Sequence, residues 1–139
     1  MIIEQFLERY NARDFDGLVE CFSTAQFSRV GPYGDRIDSS TEYVEFLRDV
    51  VPTLGERYRL ATSRISYGDR MAVAEVIEEF EVDGELRTTP EVIVFELDED
   101  GRIRAMRLYV QRPRDLPPVG GRRAMGRRDD AARGDQRSP

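Results

Sequence analysis

The sequence contains no histidine and no lysine, so all 21 of its basic residues are arginine. Without histidine, Ser-His-Asp and Cys-His nucleophilic sites and histidine metal sites are excluded. Without lysine, a lysine Schiff base and the phosphate-binding P-loop are excluded as well. Any proton chemistry must therefore fall to carboxylates, tyrosines, one thiol or the terminal amine, and we expect neither a metal nor a cofactor.

Cysteine and long apolar runs are also scarce. Cys21 is the only cysteine, so no intrachain disulfide can form, and we expect a cytoplasmic protein with an inert buried thiol. No stretch approaches the roughly 20 apolar residues that a membrane span needs. The first residues, Met1-Ile2-Ile3-Glu4, do not resemble a signal peptide. We therefore expect no association with a membrane.

Charge is divided unevenly along the 139 residues. Residues 113–139 contain seven arginines and four aspartates, a net charge of +3. Since the whole chain has a net charge of −6, residues 1–112 have a net charge of −9. An acidic body argues against a domain that binds duplex nucleic acid, and we do not expect such a partner. The tail is rich in Pro, Gly, Arg and Asp, so we predict that residues 113–139 are disordered. Its arginine pairs leave open an RNA-binding arm, although such clusters are more often simply solvated.

The spacing of apolar residues changes from helical to alternating along residues 1–112. Helical spacing predicts helices over residues 3–10 and 15–22, with Val19 on the buried side of the second. A third helix opens at the S-x-x-E capping box of Ser39 and Glu42 and stops at Pro52. Alternation then predicts strands at 26–30, 58–67, 71–82, 86–97 and 103–111. Helices followed by an antiparallel meander indicate an α+β fold in one domain, residues 1–112, with the helices on one face of the sheet.

Four short segments carry a family resemblance that covers residues 2–112. They are Arg9-Tyr10; Phe15-Asp-Gly-Leu18 with Cys21-Phe22-Ser23; Gly31-Pro-Tyr-Gly34; and Phe95-Glu-Leu-Asp-Glu-Asp-Gly-Arg-Ile103 with Met106 and Tyr109. In this order they resemble the nuclear transport factor 2-like superfamily, which includes ketosteroid isomerase, SnoaL-type polyketide cyclases and limonene epoxide hydrolase. The resemblance implies a cone-shaped α+β barrel, in which a curved antiparallel sheet wraps around N-terminal helices and leaves an apolar pocket at one end. It also implies a tendency to dimerise.

The resemblance allows a test for isomerase chemistry, which uses an aspartate base and an oxyanion hole of tyrosine and protonated aspartate. The tyrosine of that set corresponds to Tyr10, which is present. The aspartate base corresponds to Gly31 and the protonated aspartate to Ile93, and neither can do the same work. Steroid isomerisation by that mechanism is therefore not expected.

Two glutamates are the best replacements for the missing carboxylates. If Asp83-Gly84 is a two-residue hairpin turn, the numbers of facing residues sum to 167, so Glu78 and Glu91 share the face of Ile93. By the resemblance this face is concave. Pro90, which cannot donate to a ladder, further suggests a bulge or edge that would re-aim Glu91.

These positions define a candidate site in which Glu91 or Glu78 is a general base and Tyr10 or Arg29 stabilises an oxyanion. The parity of Gly31 brings Arg29 inward. The alternative is a structural ion pair between Arg29 and a glutamate, with Glu78 at the wet rim of the pocket, and packing alone for Tyr10. The Glu-Arg-Glu set departs from the Asp-Arg-Asp set of the epoxide hydrolase. Predicted ligand-binding residues are Phe6, Phe22, Phe27, Tyr33, Leu47, Tyr58, Val76, Phe80, Ile93, Phe95, Met106 and Leu108.

The opposite face of the sheet carries Ile77, Val92, Val94 and Tyr109 among charged residues. A partly apolar convex face is typical of a homodimer contact, and this fold usually dimerises there. Two functions therefore stay open. One is binding of a small hydrophobic molecule, with or without cofactor-free acid–base catalysis such as isomerisation, cyclisation or hydration. The other is a non-catalytic dimeric binding or scaffold module.

Overall fold

The computed structural model describes residues 1–111, so the predicted tail, 113–139, lies outside the described residues. The elements, in chain order, are α1 (Ile2–Asn11), α2 (Phe15–Val19), β1 (Ser28–Val30), β2 (Arg36–Ile37), α3 (Ser40–Val50), a 3₁₀ turn (Val51–Leu54), β3 (Arg59–Gly68), β4 (Met71–Val82), β5 (Glu85–Leu97) and β6 (Ile103–Val110). The predicted α+β class is confirmed.

Local sequence signals explain where the helices begin. Ser39 caps α3, because its hydroxyl oxygen accepts a hydrogen bond of 3.3 Å from the amide of Glu42, as the capping box predicts. Asp14 caps α2 in the same way, accepting from the amide of Gly17 at 2.9 Å. The second helix is shorter than predicted and ends at Val19, which is 43% exposed rather than buried.

The sheet has six strands in the order β2-β1-β6-β5-β4-β3. The four long strands β3 to β6 form the predicted antiparallel meander. The sheet is antiparallel, as predicted, except in one place, where β1 pairs with β6 in parallel. Parallel neighbours need a long connection, and here α3 and most of the meander supply it. The unpredicted strand β2 is a two-residue return onto β1, after the turn that begins at Gly31.

The register between β4 and β5 follows the predicted sum of 167 from one end to the other. Val76 faces Glu91 and Glu78 faces Thr89. The turn between the strands has Asp83 at φ 52° and Gly84 at φ 78°, as a type I′ turn requires. The turn therefore determines which side chains of the two strands share a face of the sheet.

Pro90 does not form the predicted bulge, since it pairs with Ile77 in an unbroken register. Its carbonyl oxygen accepts from the amide of Gln111 at 3.0 Å, just beyond the last residue of β6. The nitrogen and carbonyl of a strand residue face the same neighbour, so the missing N–H falls where pairing with β6 ends. The proline is tolerated because it lies at this point rather than in mid-ladder.

The core lies between the helices and the inner face of the sheet. Phe6 of α1 is fully buried and meets the ring of Phe95 at 5.5 Å and that of Phe22 at 6.0 Å, both edge to face. Phe22 continues the cluster to Phe27 at 4.8 Å. These aromatic contacts fill the interior between α1 and the sheet on this side.

Candidate functional site

A cavity of about 40 Å³ lies between α1, α3 and the inner face of the sheet. Its polar lining comprises six side chains: Tyr10, Arg29, Tyr43, Tyr58, Glu78 and Glu91. Its apolar lining comprises Pro32, Phe46, Leu47, Val50, Val51, Leu54, Leu108 and Val110. The polar groups are all buried, whereas several of the apolar ones are half-buried. The cavity is thus polar at depth and apolar toward solvent, with room for roughly three water molecules.

The carboxyl groups of Glu78 and Glu91 reach this cavity from neighbouring strands. Glu78 is 6% exposed and Glu91 is 4% exposed, so both predicted inward positions are confirmed. They occupy a diagonal of the cross-strand ladder, a spacing at which long side chains can meet. The hydroxyl of the fully buried Thr89 also lies 3.3 Å from Oε1 of Glu78 and donates to it.

Two tyrosine hydroxyls lie against each other on the helical side of the cavity. The hydroxyl oxygens of Tyr10 and Tyr58 are 2.6 Å apart and share a hydrogen bond. Burial raises the pKa of Tyr10 well above its ordinary value, and electrostatic interactions with Tyr43, Glu91 and Glu78 raise it further. Burial likewise raises the pKa of Tyr58, and burial outweighs Arg29 in raising the pKa of Tyr43 to about 12. All three phenols are therefore neutral hydrogen-bond donors at physiological pH.

Arg29 enters the cavity from β1 as half of a buried ion pair. Its Nη1 donates to Oδ2 of Asp35 at 2.8 Å, and the two side chains are 4% and 3% exposed. Gly31 makes room for the pair, since a Cβ there would lie 2.4 Å from Oδ1 of Asp35 and 2.6 Å from Nη1 of Arg29. By the resemblance, Gly31 stands where the aspartate base would be. The space that a side chain at Gly31 would take is occupied by the carboxylate of Asp35.

Sequence reasoning missed Asp35. The only signal was the glycine itself: a missing side chain at an inward position leaves space that another side chain must fill. Nothing in the local pattern Gly31-Pro-Tyr-Gly34-Asp35 indicates that the chain turns back and points that carboxylate inward. The predicted ion pair of Arg29 therefore exists, but its partner in the salt bridge is an aspartate rather than a glutamate.

The predicted ligand-binding residues fall into three groups. Leu47, Tyr58 and Leu108 line the cavity. The second group is buried in the hydrophobic core without lining the cavity: Phe6, Phe22, Phe27, Val76, Phe80, Ile93, Phe95 and Met106. Tyr33 is 36% exposed and lies outside the cavity. Alternation along the strands correctly predicted which side chains point inward. Most of these side chains pack against the helices and therefore do not line the cavity.

Cys21 is a buried thiol, as predicted. It has no exposed surface, and Nη1 of Arg9 donates to its sulfur at 3.6 Å. Burial raises its pKa although the nearby Arg9 opposes the shift. A thiol of this kind is a poor nucleophile near neutral pH.

The outer face of the sheet carries a shallow apolar groove of about 510 Å³. Its apolar lining comprises Val76, Ile77, Pro90, Val92, Tyr109 and Val110. Tyr109 is 57% exposed, the largest exposed aromatic surface among residues 1–111. Nearby Glu75 is held by Arg64 at 2.6 Å, so charge at the groove is partly balanced.

Residues 1–111 show neither a cluster of metal ligands nor a membrane-spanning helix. No group of three or more cysteine, aspartate or glutamate side chains is placed to hold a metal ion there. None of the helices in that range has the length and apolar character that crossing a membrane requires.

Comparison with solved structures identifies the fold. A nuclear transport factor 2-like protein of unknown function from Burkholderia pseudomallei is 19% identical, with a TM-score of 0.69 over 79% of this chain and 88% of that one. A proposed SnoaL-like polyketide cyclase from Jannaschia is 15% identical, with a TM-score of 0.68 over 79% and 83%. The chain therefore has the nuclear transport factor 2-like fold, as the resemblance implied.

A third structure with this fold was solved with a bound small molecule. It is a protein of Catenulispora acidiphila with a ketosteroid isomerase-like fold in complex with trimethylamine. It is 12% identical, with a TM-score of 0.70 over 84% of this chain and 97% of that one. Neither a protein-family model nor a curated protein matches the sequence. At these identities the comparisons establish the fold, and the function must be argued from the site.

Proposed function

We propose that the protein binds a small amphipathic molecule in the cavity and transfers a proton on it without a cofactor. The observation that carries this proposal is the convergence of Glu78, Glu91, Arg29 and Tyr10 on one cavity, all at most 7% exposed. These groups come from α1, β1, β4 and β5, so the fold brings them together from distant parts of the chain. Burying an ionisable group costs free energy unless the group is paired. Clusters of buried ionisable groups are typical of acid–base sites.

Each polar group has a role in that chemistry. Glu91 or Glu78, when ionised, is the general base that accepts a proton from the ligand. The paired hydroxyls of Tyr10 and Tyr58 are neutral donors, because their pKa values are raised by burial. Together with Arg29 they stabilise negative charge that develops on a ligand oxygen. The reaction class is isomerisation, cyclisation or hydration.

The lining and the volume restrict the ligand. The polar groups lie at depth and the half-buried apolar ones toward solvent, so the ligand enters with its polar end first. A volume of about 40 Å³ favours a compact molecule over a steroid unless the walls move. The trimethylamine bound to the Catenulispora acidiphila protein, a molecule of similar compactness, supports a small ligand for this fold.

A ligand screen with one variant tests the proposal. We expect at least one compact ligand to raise the unfolding temperature, by an amount that corresponds to about 2.7 kcal/mol when its concentration is 100 times Kd. Any catalysed turnover should show a pH–rate profile with a limb that Glu91→Gln removes, with a rate loss of about 10²- to 10⁴-fold. Glu85→Gln, an exposed change on the same strand, is the matched control.

Two outcomes would contradict this proposal. The first is the absence of any stabilising compound among compact amides, ketones, alcohols and epoxides. The second is binding that Glu91→Gln, Glu78→Gln and Arg29→Met all leave unchanged, since the ligand would then lie elsewhere.

A second function is favoured by the groove on the outer face. We propose that two copies pair there, with Tyr109, Ile77 and Val92 at the centre of the contact, because an exposed tyrosine in an apolar groove is typical of an interface. In this function the protein is a dimeric binding or scaffold module, which does not require turnover.

The cytoplasmic location expected from the single cysteine stays a prediction.

Light scattering across a dilution series tests the dimer. Tyr109→Glu should raise the dimer dissociation constant by about 30-fold or more, because it places a charge in an apolar contact where loss of a central tyrosine costs about 2 kcal/mol. Tyr33→Glu, at another exposed tyrosine, should leave it unchanged. A monomeric wild-type protein at every concentration would rule out this interface.

A further inference from the structure

Phe46 lies at the boundary between the cavity and solvent. On α3 it stands between the buried residues Tyr43 and Leu47 and the exposed residues Glu42 and Glu45. Its side chain is half-buried and lines both the cavity and a surface depression of about 640 Å³ formed by residues of α3. Among the described residues, Phe46 is the one that lines both spaces, so its ring forms part of the wall between them.

Two neighbours hold this ring in place. Its centre lies 5.1 Å from the central carbon of the Arg29 guanidinium and 6.3 Å from the centre of the Tyr43 ring, which is stacked at 20° to it. The guanidinium is itself fixed, because Nη1 of Arg29 donates to Asp35 at 2.8 Å. A cation over an aromatic face attracts the ring, and the attraction is stronger where water is excluded. The ring is therefore packed against the polar part of the cavity rather than turned out to solvent.

Phe46 is also the largest side chain of the apolar rim. The other half-buried side chains in the described lining are Pro32, Leu54, Leu108 and Val110. Leu108 and Val110 belong to β6, whose backbone is fixed by pairing with β5. Removing the ring of Phe46 would therefore open more space than removing any other rim side chain, and it would leave the buried polar groups in place.

We infer that Phe46 is the specificity-determining residue of the cavity: its ring, packed against Arg29 and Tyr43, occupies the space that the apolar part of a larger ligand would need. The inference rests on the proposed function and names the ligand class for that site. The ligand is a compact polar molecule whose apolar part is a short alkyl group rather than a ring. A ligand with a larger apolar part must displace the Phe46 ring, and forcing extra atoms into a packed site costs free energy.

Two uncharged amides that differ only in their apolar part test this selectivity. Propionamide has an ethyl group where benzamide has a phenyl ring, and NMR titration of the full chain gives both dissociation constants. Where there is room, the larger apolar surface favours benzamide. We expect wild-type protein to bind propionamide at least tenfold more tightly instead. Phe46→Ala removes a ring of the same size as that of benzamide. It should raise the affinity for benzamide at least tenfold and change that for propionamide less than threefold.

Phe27→Ala is the matched control. Phe27 also packs on the Tyr43 ring, with centres 5.8 Å apart and an angle of 23°, but it is 7% exposed and does not line the cavity. The same substitution there loosens the core without opening the cavity. The ratio of the two dissociation constants should therefore stay within threefold of the wild-type ratio.

A second pair of variants keeps the test decisive if an alanine variant does not fold. Phe46→Leu and Phe27→Leu retain more apolar packing, because leucine fills part of the space of the ring. Phe46→Leu should still raise the affinity for benzamide at least threefold, whereas Phe27→Leu should change it less than twofold.

The outcomes separate this inference from the proposed function. Equal or tighter binding of benzamide by wild type overturns the inference while ligand binding stands. An unchanged ratio in the Phe46 variants does the same, and so does an equal gain in the Phe27 variants. If wild type binds another compact compound but not propionamide, benzamide must still bind Phe46→Ala and not wild type, or the inference is overturned. If wild type binds no compact compound, the proposed function fails and the inference fails with it.

Discussion

Raising the pH from about 9 to about 11 is expected to destabilise the protein by about 4 kcal/mol through three buried tyrosines. Tyr10 and Tyr58 have pKa values raised well above 10, and that of Tyr43 is raised to about 12. In the unfolded chain each phenol ionises near pH 10, whereas in the folded chain it stays protonated. Each therefore contributes stability that is complete below about pH 10 and is lost as the pH rises toward the folded value, by about 1.4 kcal/mol at pH 11.

The composition makes this experiment unusually clean. With no lysine or histidine, the side chains that titrate between neutrality and pH 11 are the tyrosines and Cys21, and the arginines stay charged. Urea unfolding at several pH values measures the effect directly.

A double variant identifies the groups responsible. Tyr10→Phe with Tyr58→Phe removes both members of the hydroxyl pair, so no partner is left unsatisfied. It should remove about two thirds of the loss that comes from the three buried tyrosines, and the raised pKa values of Tyr67 and Cys21 account for a further loss that this variant keeps. Tyr33→Phe with Tyr109→Phe, at exposed positions, should remove almost none. A free energy of unfolding that stays flat up to pH 11 would show that these phenols are hydrated rather than buried.

Removal of one partner of the Arg29–Asp35 pair should cost about 3–5 kcal/mol. In Asp35→Ala the guanidinium keeps its charge at 3% exposure, with no carboxylate at 2.8 Å to balance it. The exposed pair of Arg36 and Asp38 provides the control, since Asp38→Ala should cost at most about 1 kcal/mol. Denaturant unfolding of the two variants measures the difference.

The double replacement Arg29→Met with Asp35→Leu separates charge from packing. It should recover most of the loss, because two apolar side chains of similar volume leave no buried ion. If instead it is as unstable as Asp35→Ala, the cost arises from packing under Gly31 and the ion pair itself contributes little. A cost below about 1 kcal/mol for Asp35→Ala would mean that water reaches Arg29.

The inward position of the two glutamates could be predicted because a local signal determines a long register. Asp83-Gly84 adopts the two-residue turn that its residue types favour, and the pairing then follows without a break from Val82 and Glu85 to Met71 and Glu96. Strand parity does the rest, since a shift of one residue would turn every side chain to the other face. The turn and parity give the shared face of the two glutamates, and the family resemblance gave the expectation that this face is the concave one.

The other half of the site could not be predicted in this way. Asp35 reaches Arg29 only because β2 folds back on β1, and a strand of two residues leaves no periodic signal. The hydroxyl pair joins Tyr10 to Tyr58, which are 48 residues apart. Such a contact depends on how α1 packs on the sheet. Local sequence patterns do not indicate contacts between residues so far apart in the chain.

The volume of the cavity was also a tertiary property. Phe27, Phe80 and Phe95 point inward as parity predicts, yet they are packed into the core and do not line the cavity that holds Glu78 and Glu91. Whether an inward aromatic fills a cavity or borders one depends on the helix opposite, and α1 supplies Phe6 at that place.

The amino-acid sequence by itself determined the kind of chemistry available, the α+β order of elements, and that Glu78 and Glu91 project from the same face of the sheet. These follow from composition and from interactions between residues near in the chain, which a turn or a capping box specifies directly. Only the tertiary structure decided that Asp35 neutralises Arg29, that two phenols share a hydrogen bond, and that the cavity is compact. These depend on packing between elements far apart in sequence, where shape and volume rather than periodicity select the neighbours.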